Sequence, residues 1–371
     1  MSSFSAKSSP IKLGGLQALR AVAVILVVYF HVSTAVYDYH GAATDTLLYG
    51  LHRIGPAGVD IFFVISGFIM AYTRRDNAAG MRDARVFITR RIERVIPLYW
   101  LWTAVVLMLW IAGFIHKAHA FPGIKTIIAS LLLWPLANTI EPFQPVLSQG
   151  WTLSFEAYFY VFFAAALMVR VPDRFMAVFL SLVFLAIFLV ARSTTHDASV
   201  LYLTGSPLIC EFIFGVVAAQ IAKMTARMAI GTRLPYFALA AAVIGFFVMI
   251  YATSRGVSID NYRVIIFGIP AFAIVLGVVI YDMAKPVTSK ALLFLGDASY
   301  SIYLSHGFLT MLAAGLLKKG LLHTANADML CIIGTITTVA LSSITYPLIE
   351  KPVLRLVKYR RLSSRLGTVS V

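Results

Sequence analysis

Two side chains that can carry charge lie on one face of the first long apolar segment. Arg20 and His31 both fall within residues 16–37, which are mostly hydrophobic. Their separation corresponds to three helical turns, so they point the same way about 16 Å apart. A cation and an imidazole inside a membrane span are costly and indicate a functional site. Because imidazole titrates near neutrality, His31 is a candidate general base, and the alternative is that it carries an acyl group transiently. The structural alternative is that Arg20 extends to the membrane surface and His31 is hydrogen bonded between helices.

Two acids are candidates for orienting that imidazole. Glu156 lies in WTLSFEAYFY and Asp60 in GVDIFFVISGF, each about five residues inside the outer end of its apolar segment. A carboxylate in such surroundings needs a partner. Either acid could contact His31 and stabilise its protonated form, as in catalytic triads. The alternative is that each bonds backbone groups near the membrane surface. Trp151 marks that surface and is a candidate acceptor contact.

A basic stretch precedes the third apolar segment. Arg90, Arg91 and Arg94 lie at spacings of three and four, so one helix face gathers them. Guanidinium groups bind phosphate through paired hydrogen bonds, which favours a site for a phosphate-rich ligand. The alternative is simple anchoring to anionic lipid headgroups.

A stripe of polar side chains occupies a later apolar segment, LGDASYSIYLSHG. Ser299, Tyr303 and His306 follow a helical repeat and predict a polar cavity or an oxyanion-binding group. The alternative is hydrogen bonding between helices that stabilises the bundle.

The composition is that of a multi-pass membrane protein. Of 371 residues, 60% are hydrophobic and only 13% are charged, whereas soluble domains are about a quarter charged. The two cysteines form neither a disulfide framework nor a metal-ligand cluster. The net charge of +15 is explained by membrane topology, so no nucleic-acid partner is predicted.

Apolar segments long enough to be helices predict an all-α bundle. Ten of them are expected to span the membrane, and residues 124–138 are expected to form a re-entrant or interfacial segment because Pro135 interrupts them. With that segment outside the count, most of the 31 lysines and arginines fall on one side. The bias predicts that both termini are cytoplasmic. Residues 1–358 are expected to form one domain, followed by a basic cytoplasmic tail at 359–371.

Six motifs together resemble the membrane acyltransferase-3 family. They are LQALRAVAVILVVYFH, GVDIFFVISGFIM, FITRRIERVIPLYW, WTLSFEAYFY, LGDASYSIYLSH and YPLIEKPVLR, which occur in the family's order and span almost the whole chain. Within the family the chain looks most like the short exopolysaccharide acetyltransferases, and no fused esterase-like domain is expected. The residues at 116–150 match no part of the family pattern.

The resemblance implies an enzyme of the bacterial inner membrane. It implies that a cytoplasmic acyl-CoA, such as acetyl-CoA, donates an acyl group to a hydroxyl of a polysaccharide or lipid-linked glycan, with no permanently bound cofactor and no metal. It also implies that Arg20 and His31 are an essential pair and that the arginines near 90–94 serve the donor.

Two other functions remain compatible with intramembrane charge. A transporter or flippase for a glycan or lipid-linked sugar would need no site for coenzyme A. A scaffold subunit would need no cavity between the arginines and His31. The acceptor hydroxyl, the length of the acyl group and the oligomeric state are not determined by the sequence.

Overall fold

The chain folds as a bundle of long helices, without a β-strand in the part of the chain that the structure describes. This computed structural model describes residues 13–40, 49–74, 80–114, 121–136, 143–228, 231–257, 262–321 and 324–367. The α-helices, in chain order, are α1 (Gly14–Tyr39), α2 (Ala57–Tyr72), α3 (Met81–Ile111), α4 (Ile124–Leu131), α5 (Trp151–Met168), α6 (Met176–Thr194), α7 (Ala198–Thr204), α8 (Leu208–Arg227), α9 (Leu234–Ser254), α10 (Ile269–Ala284), α11 (Lys290–Lys318), α12 (Ala327–Thr345) and α13 (Lys351–Gly367). Short 3-10 turns cover Tyr49–Ile54, Ser148–Gly150 and Asp173–Phe175, and π turns cover Val264–Gly268 and Tyr346–Glu350.

Ten helical segments among the described residues are long and apolar enough to cross a membrane. They confirm the predicted all-α fold and the predicted number of spans, and they make the chain a multi-pass membrane protein. We call the end of the bundle at which α1 begins the basic end, because most of the cationic loops lie there. The cytoplasmic location of the termini stays a prediction from charge.

The segment at 124–138 does not form a span. Only Ile124–Leu131 is helical, and its C-terminal part packs on the side of α3. The Tyr99 hydroxyl donates to the Ser130 carbonyl at 3.0 Å, and Trp100 Nε1 donates to the Leu131 carbonyl at 2.9 Å. These bonds cover backbone groups that an eight-residue helix leaves unpaired, as a non-spanning segment requires. Residues 137 and 138 lie outside the described part of the chain.

Helix α1 lies at the centre of the bundle and packs against α2, α10, α11 and α12. Helices α2 and α8 approach each other closely because glycines face each other's backbone. A Cβ atom on Gly67 would lie 2.0 Å from the Phe212 carbonyl oxygen, and one on Gly215 would lie 2.1 Å from the Val64 carbonyl oxygen. Small residues at such crossings allow helices to pack tightly in a membrane.

Two helices extend past the apolar segments that predicted them. Helix α3 begins at Met81, so the basic stretch and the third span form one continuous helix with Pro97 inside it. At the other end of the chain, α13 stays helical through Gly367. The backbone therefore has no break at the predicted boundary between residues 358 and 359.

Candidate active site

A cavity opens between α1, α2, α3, α5 and α11. Arg91 and Arg94 from α3 and Arg20 from α1 line it nearer the basic end, and Thr152 and Tyr303 line it toward the opposite end. We call it the arginine cavity. It brings together residues from five of the six motifs that were singled out in the sequence.

The three arginines are held by different contacts. Arg20 is only 8% exposed and donates from Nη1 to Gln17 Oε1 at 3.4 Å. Its charged neighbours are Arg94, Asp297, Glu156 and Glu350. The guanidinium of Arg91 lies over two rings, 5.5 Å from the centroid of Phe87 and 5.4 Å from that of Tyr160. Three guanidinium groups around one cavity, one of them buried, suit an anionic ligand, and the acids beside Arg20 offset part of their positive charge.

Arg90 does not share this position. Its side chain is exposed and is not part of the cavity wall, whereas Arg91 and Arg94 are half-buried and line the cavity. Consecutive helical residues point about 100° apart, so Arg90 and Arg91 face different surroundings. The predicted grouping of all three arginines on one functional face is therefore wrong for Arg90.

Hydroxyl groups line the middle of the arginine cavity. Ser299 is fully buried, and its Oγ has no hydrogen-bond partner among the described residues. One turn further along α11, the Tyr303 hydroxyl lies 2.9 Å from Thr152 Oγ1 and donates to the Gln149 carbonyl at 3.1 Å. Two members of the predicted stripe on α11, Ser299 and Tyr303, thus line the cavity, whereas His306 does not, and Ser299 has a hydroxyl donor without a partner among the described residues.

His31 does not line the arginine cavity, and two aromatic side chains lie between them. The Tyr303 ring, which lines the cavity, lies 5.9 Å from the imidazole of His306, and that imidazole lies 4.9 Å from the imidazole of His31. His306 is fully buried, whereas the His31 side chain is exposed. Tyr303 and His306 therefore lie between the cavity and His31, and His31 is exposed outside the cavity.

Backbone carbonyls fix the tautomer of both histidines. His31 Nδ1 donates to the Val27 carbonyl at 2.8 Å. His306 Nδ1 donates to the Tyr303 carbonyl at 2.7 Å, and its Nε2 has no partner among the described residues. In a neutral imidazole with a proton on Nδ1, Nε2 carries a lone pair. Each ring thus offers Nε2 as a base.

The expectation that an acid orients His31 is wrong for both candidates. Asp60 is fully buried and accepts two 2.9 Å hydrogen bonds, from Arg263 Nε and Nη2. Glu156 lines the arginine cavity, where it accepts from Ser66 Oγ at 2.8 Å and from the Tyr160 hydroxyl. Among the described residues neither acid hydrogen bonds to His31, because each is satisfied elsewhere. Any catalytic role of these two acids stays a prediction.

Three residues that take part in these clusters were not singled out as site residues in the sequence. Arg263 pairs with Asp60, Glu211 is fully buried beside that pair, and Glu350 accepts from Ser301 Oγ at 2.5 Å near Arg20. Each is an ionisable residue inside or at the edge of an apolar segment, and that signal could have identified all three. Trp151 lies away from the arginine cavity, in the wall of a second cavity that also contains Arg263.

Ten candidate spans, a cavity lined by three arginines and a neighbouring pair of imidazoles suit a membrane enzyme. The profile of the acyltransferase-3 family, described as an acyltransferase domain, matches residues 13–347. The chain belongs to this family, as the six motifs predicted, and is an acyltransferase.

Two curated relatives show how far the similarity extends. The exopolysaccharide production protein ExoZ of Rhizobium meliloti (strain 1021) is 33% identical over 324 residues, which cover 85% of this chain and 94% of the relative. The O-acetyltransferase OatA of Staphylococcus aureus (strain NCTC 8325 / PS 47) is 24% identical over 376 residues, which cover 93% of this chain and 58% of the relative. No solved structure matches the chain significantly.

Proposed function

We propose that the protein transfers an acetyl group from acetyl-CoA to a hydroxyl of an exopolysaccharide sugar. The similarity to ExoZ supports the acceptor class, and the similarity to OatA supports acetyl as the group transferred. The observation that carries the proposal is the arginine cavity, whose wall at Tyr303 contacts the first of the two paired histidines, His306. The basic end then faces the cytoplasm of a bacterial cell, where acetyl-CoA is available.

The cationic end of the cavity suits the phosphates of coenzyme A. Arg94 and Arg20 are close enough to interact electrostatically, and Arg91 is held beside them by the Tyr160 ring. Two guanidinium groups at close range repel each other, and a bound phosphate would relieve that repulsion. The acyl end of the donor then points along α11 toward Ser299 and Tyr303.

The proposed chemistry is a direct transfer of the acetyl group from the thioester sulfur of acetyl-CoA to the oxygen of the acceptor hydroxyl. His31 Nε2 removes the proton from the acceptor hydroxyl while the hydroxyl oxygen attacks the carbonyl carbon of the thioester. The carbon–oxygen bond forms, and the negative charge on the carbonyl oxygen is stabilised by a hydrogen bond from Ser299 Oγ. The carbon–sulfur bond then breaks, and the departing coenzyme A thiolate takes the proton from His31. The products are the sugar acetate and free coenzyme A.

Mass analysis of the surface polysaccharide tests this function in cells. In cells that lack the gene, we expect each sugar that is normally modified to be lighter by about 42 mass units, the mass that one acetyl group adds, because its hydroxyl stays unmodified. The wild-type gene should restore the ester, and the His31→Ala gene should not, although the protein accumulates in the membrane. An unchanged polysaccharide in the deletion strain would contradict the proposal.

A further inference from the structure

A second, more open cavity lies at the end of the bundle opposite the basic end. Its wall combines rings with hydrogen-bonding side chains: Phe143, Gln144, Trp151, Tyr202, Ser206 and Arg263. We call it the aromatic cavity. It adjoins the arginine cavity, because Trp151 lines one while the next two residues, Thr152 and Leu153, line the other.

The rings of the aromatic cavity are held in fixed positions. Phe143 and Tyr202 stack with their centroids 4.1 Å apart and their planes at 5°. Phe143 has a φ of 68°, a left-handed conformation that is unfavourable for a bulky residue and that is kept where surrounding contacts require it. The Phe155 ring packs against two of these rings, with its centroid 6.1 Å from that of Trp151 and 5.3 Å from that of Tyr202.

The guanidinium of Arg263 is also fixed in place. Its Nε and Nη2 are engaged by Asp60, which orients the planar group. The Arg263 side chain is 17% exposed and lines the cavity, and Nη1 has no hydrogen bond to the described residues. The N–H groups of Nη1 are therefore available to a ligand in the cavity.

The charges around this guanidinium argue against an anionic ligand. Asp60 neutralises Arg263, and the fully buried Glu211 lies beside the pair. The cluster has no excess of positive charge, so a phosphate or carboxylate gains little there. A ligand with hydroxyl groups and apolar C–H faces fits the wall better, because rings cover its faces while Arg263, Gln144 and Ser206 bond its hydroxyls.

We propose that the aromatic cavity binds an uncharged sugar unit of the acceptor glycan. This inference rests on the proposed function for the existence of a glycan acceptor, and it adds where that glycan is held. A unit held in the aromatic cavity places its neighbour along the chain close to Thr152, at the entrance to the arginine cavity. The site thereby selects acceptors and leaves donor binding to the other cavity.

The experiment measures acetyl transfer by purified protein in lipid nanodiscs. The probe is a mixture of short oligosaccharides made by mild acid hydrolysis of the de-O-acetylated exopolysaccharide. We expect Tyr202→Leu and Arg263→Lys each to raise the acceptor KM about tenfold, which corresponds to about 1.4 kcal/mol of lost binding. The KM for acetyl-CoA should not change. Tyr251→Leu, an exposed tyrosine near the same end of the bundle, is the matched control and should behave as wild type.

The outcomes separate this inference from the proposed function. Acceptor-dependent transfer by the wild type with an unchanged acceptor KM in both variants would overturn the sugar site alone. No acceptor-dependent transfer by the wild type would overturn the proposed function. If a variant has a lower Tm than the wild type, an unchanged KM for acetyl-CoA shows that its folded molecules still have an intact donor site. An acceptor KM that rises together with the acetyl-CoA KM would also overturn the inference, because it would indicate general distortion.

Discussion

The imidazoles of His31 and His306 lie 4.9 Å apart at an angle of 63°, although they are separated by most of the chain. Each ring gives its Nδ1 proton to a carbonyl one turn or less before it in its own helix. Both Nε2 atoms are therefore hydrogen-bond acceptors while the rings are neutral. When His31 takes a proton from the acceptor, the second ring offers a neighbouring lone pair that can stabilise the imidazolium.

The second imidazole is predicted to support catalysis by positioning and stabilising the first. His306→Asn keeps a donor for the Tyr303 carbonyl but removes the Nε2 lone pair. We expect kcat to fall about 10- to 100-fold, a part of what acid–base groups contribute, with the acetyl-CoA KM unchanged. Steady-state kinetics in nanodiscs provide the measurement. A rise in KM with an unchanged kcat would instead assign this ring to substrate binding.

Arg94, which lines the arginine cavity, and the exposed Arg90 one turn before it are predicted to contribute differently to donor binding. Arg94→Gln removes a guanidinium from the arginine cavity, whereas Arg90→Gln changes an exposed side chain four residues away. Charged hydrogen bonds contribute about 1.5–3 kcal/mol, so Arg94→Gln should raise the acetyl-CoA KM at least tenfold. Arg90→Gln, the matched control, should leave it nearly unchanged. Equal effects of both substitutions would mean that membrane anchoring, and not the cavity, explains the arginines.

The unpartnered hydroxyl of Ser299 is predicted to stabilise the oxyanion. Loss of one such donor costs about 10²–10³ in kcat in other acyl-transfer enzymes. Ser299→Ala should therefore lower kcat with little change in either KM. Ser305→Ala is the control on the same helix, since Ser305 Oγ donates only to the Ser301 carbonyl at 2.8 Å. Full activity of Ser299→Ala would remove this serine from the mechanism.

The buried pair of Asp60 and Arg263 is predicted to matter more for stability than for chemistry. Asp60→Asn leaves the Arg263 guanidinium without its counter-ion, and breaking a buried pair costs about 3–5 kcal/mol. We expect a markedly lower Tm in detergent and a kcat per folded molecule within a few-fold of wild type. Thermal unfolding and active-fraction titration measure the two quantities. A normal Tm with abolished kcat would restore the catalytic role first expected for Asp60.

Local sequence patterns were sufficient to predict the membrane-spanning helices of this fold. The length and hydrophobicity of each apolar segment predicted the spans, and Pro135 together with the charge bias correctly removed residues 124–138 from the count. The polar stripe on α11 predicted a cavity, and Ser299 and Tyr303 line one. These features depend on residues within a few turns of one another, which a sequence displays directly.

The partners of buried charges could not be predicted in the same way. Asp60 and Arg263 are 203 residues apart in the chain, and nothing local indicates that Asp60 is already neutralised. Similarly, the spacing of Arg90, Arg91 and Arg94 fits one broad face, and only the packing of α5 against α3 decides which of them meets the cavity. Tertiary contacts, and not periodicity, select the residues that are free to act.

The central claim is that the His31 imidazole on α1 activates the acceptor hydroxyl, which then attacks acyl-CoA bound among the arginines. The most direct test of this claim is the rate at which the His31→Ala variant releases coenzyme A. The measurement compares wild type and variant in nanodiscs with saturating acetyl-CoA and acceptor oligosaccharides, together with binding of acetyl-CoA by each. We predict that the variant binds acetyl-CoA with an unchanged Kd but releases coenzyme A at least 100-fold more slowly. Release at the wild-type rate by a folded His31→Ala protein would contradict the claim.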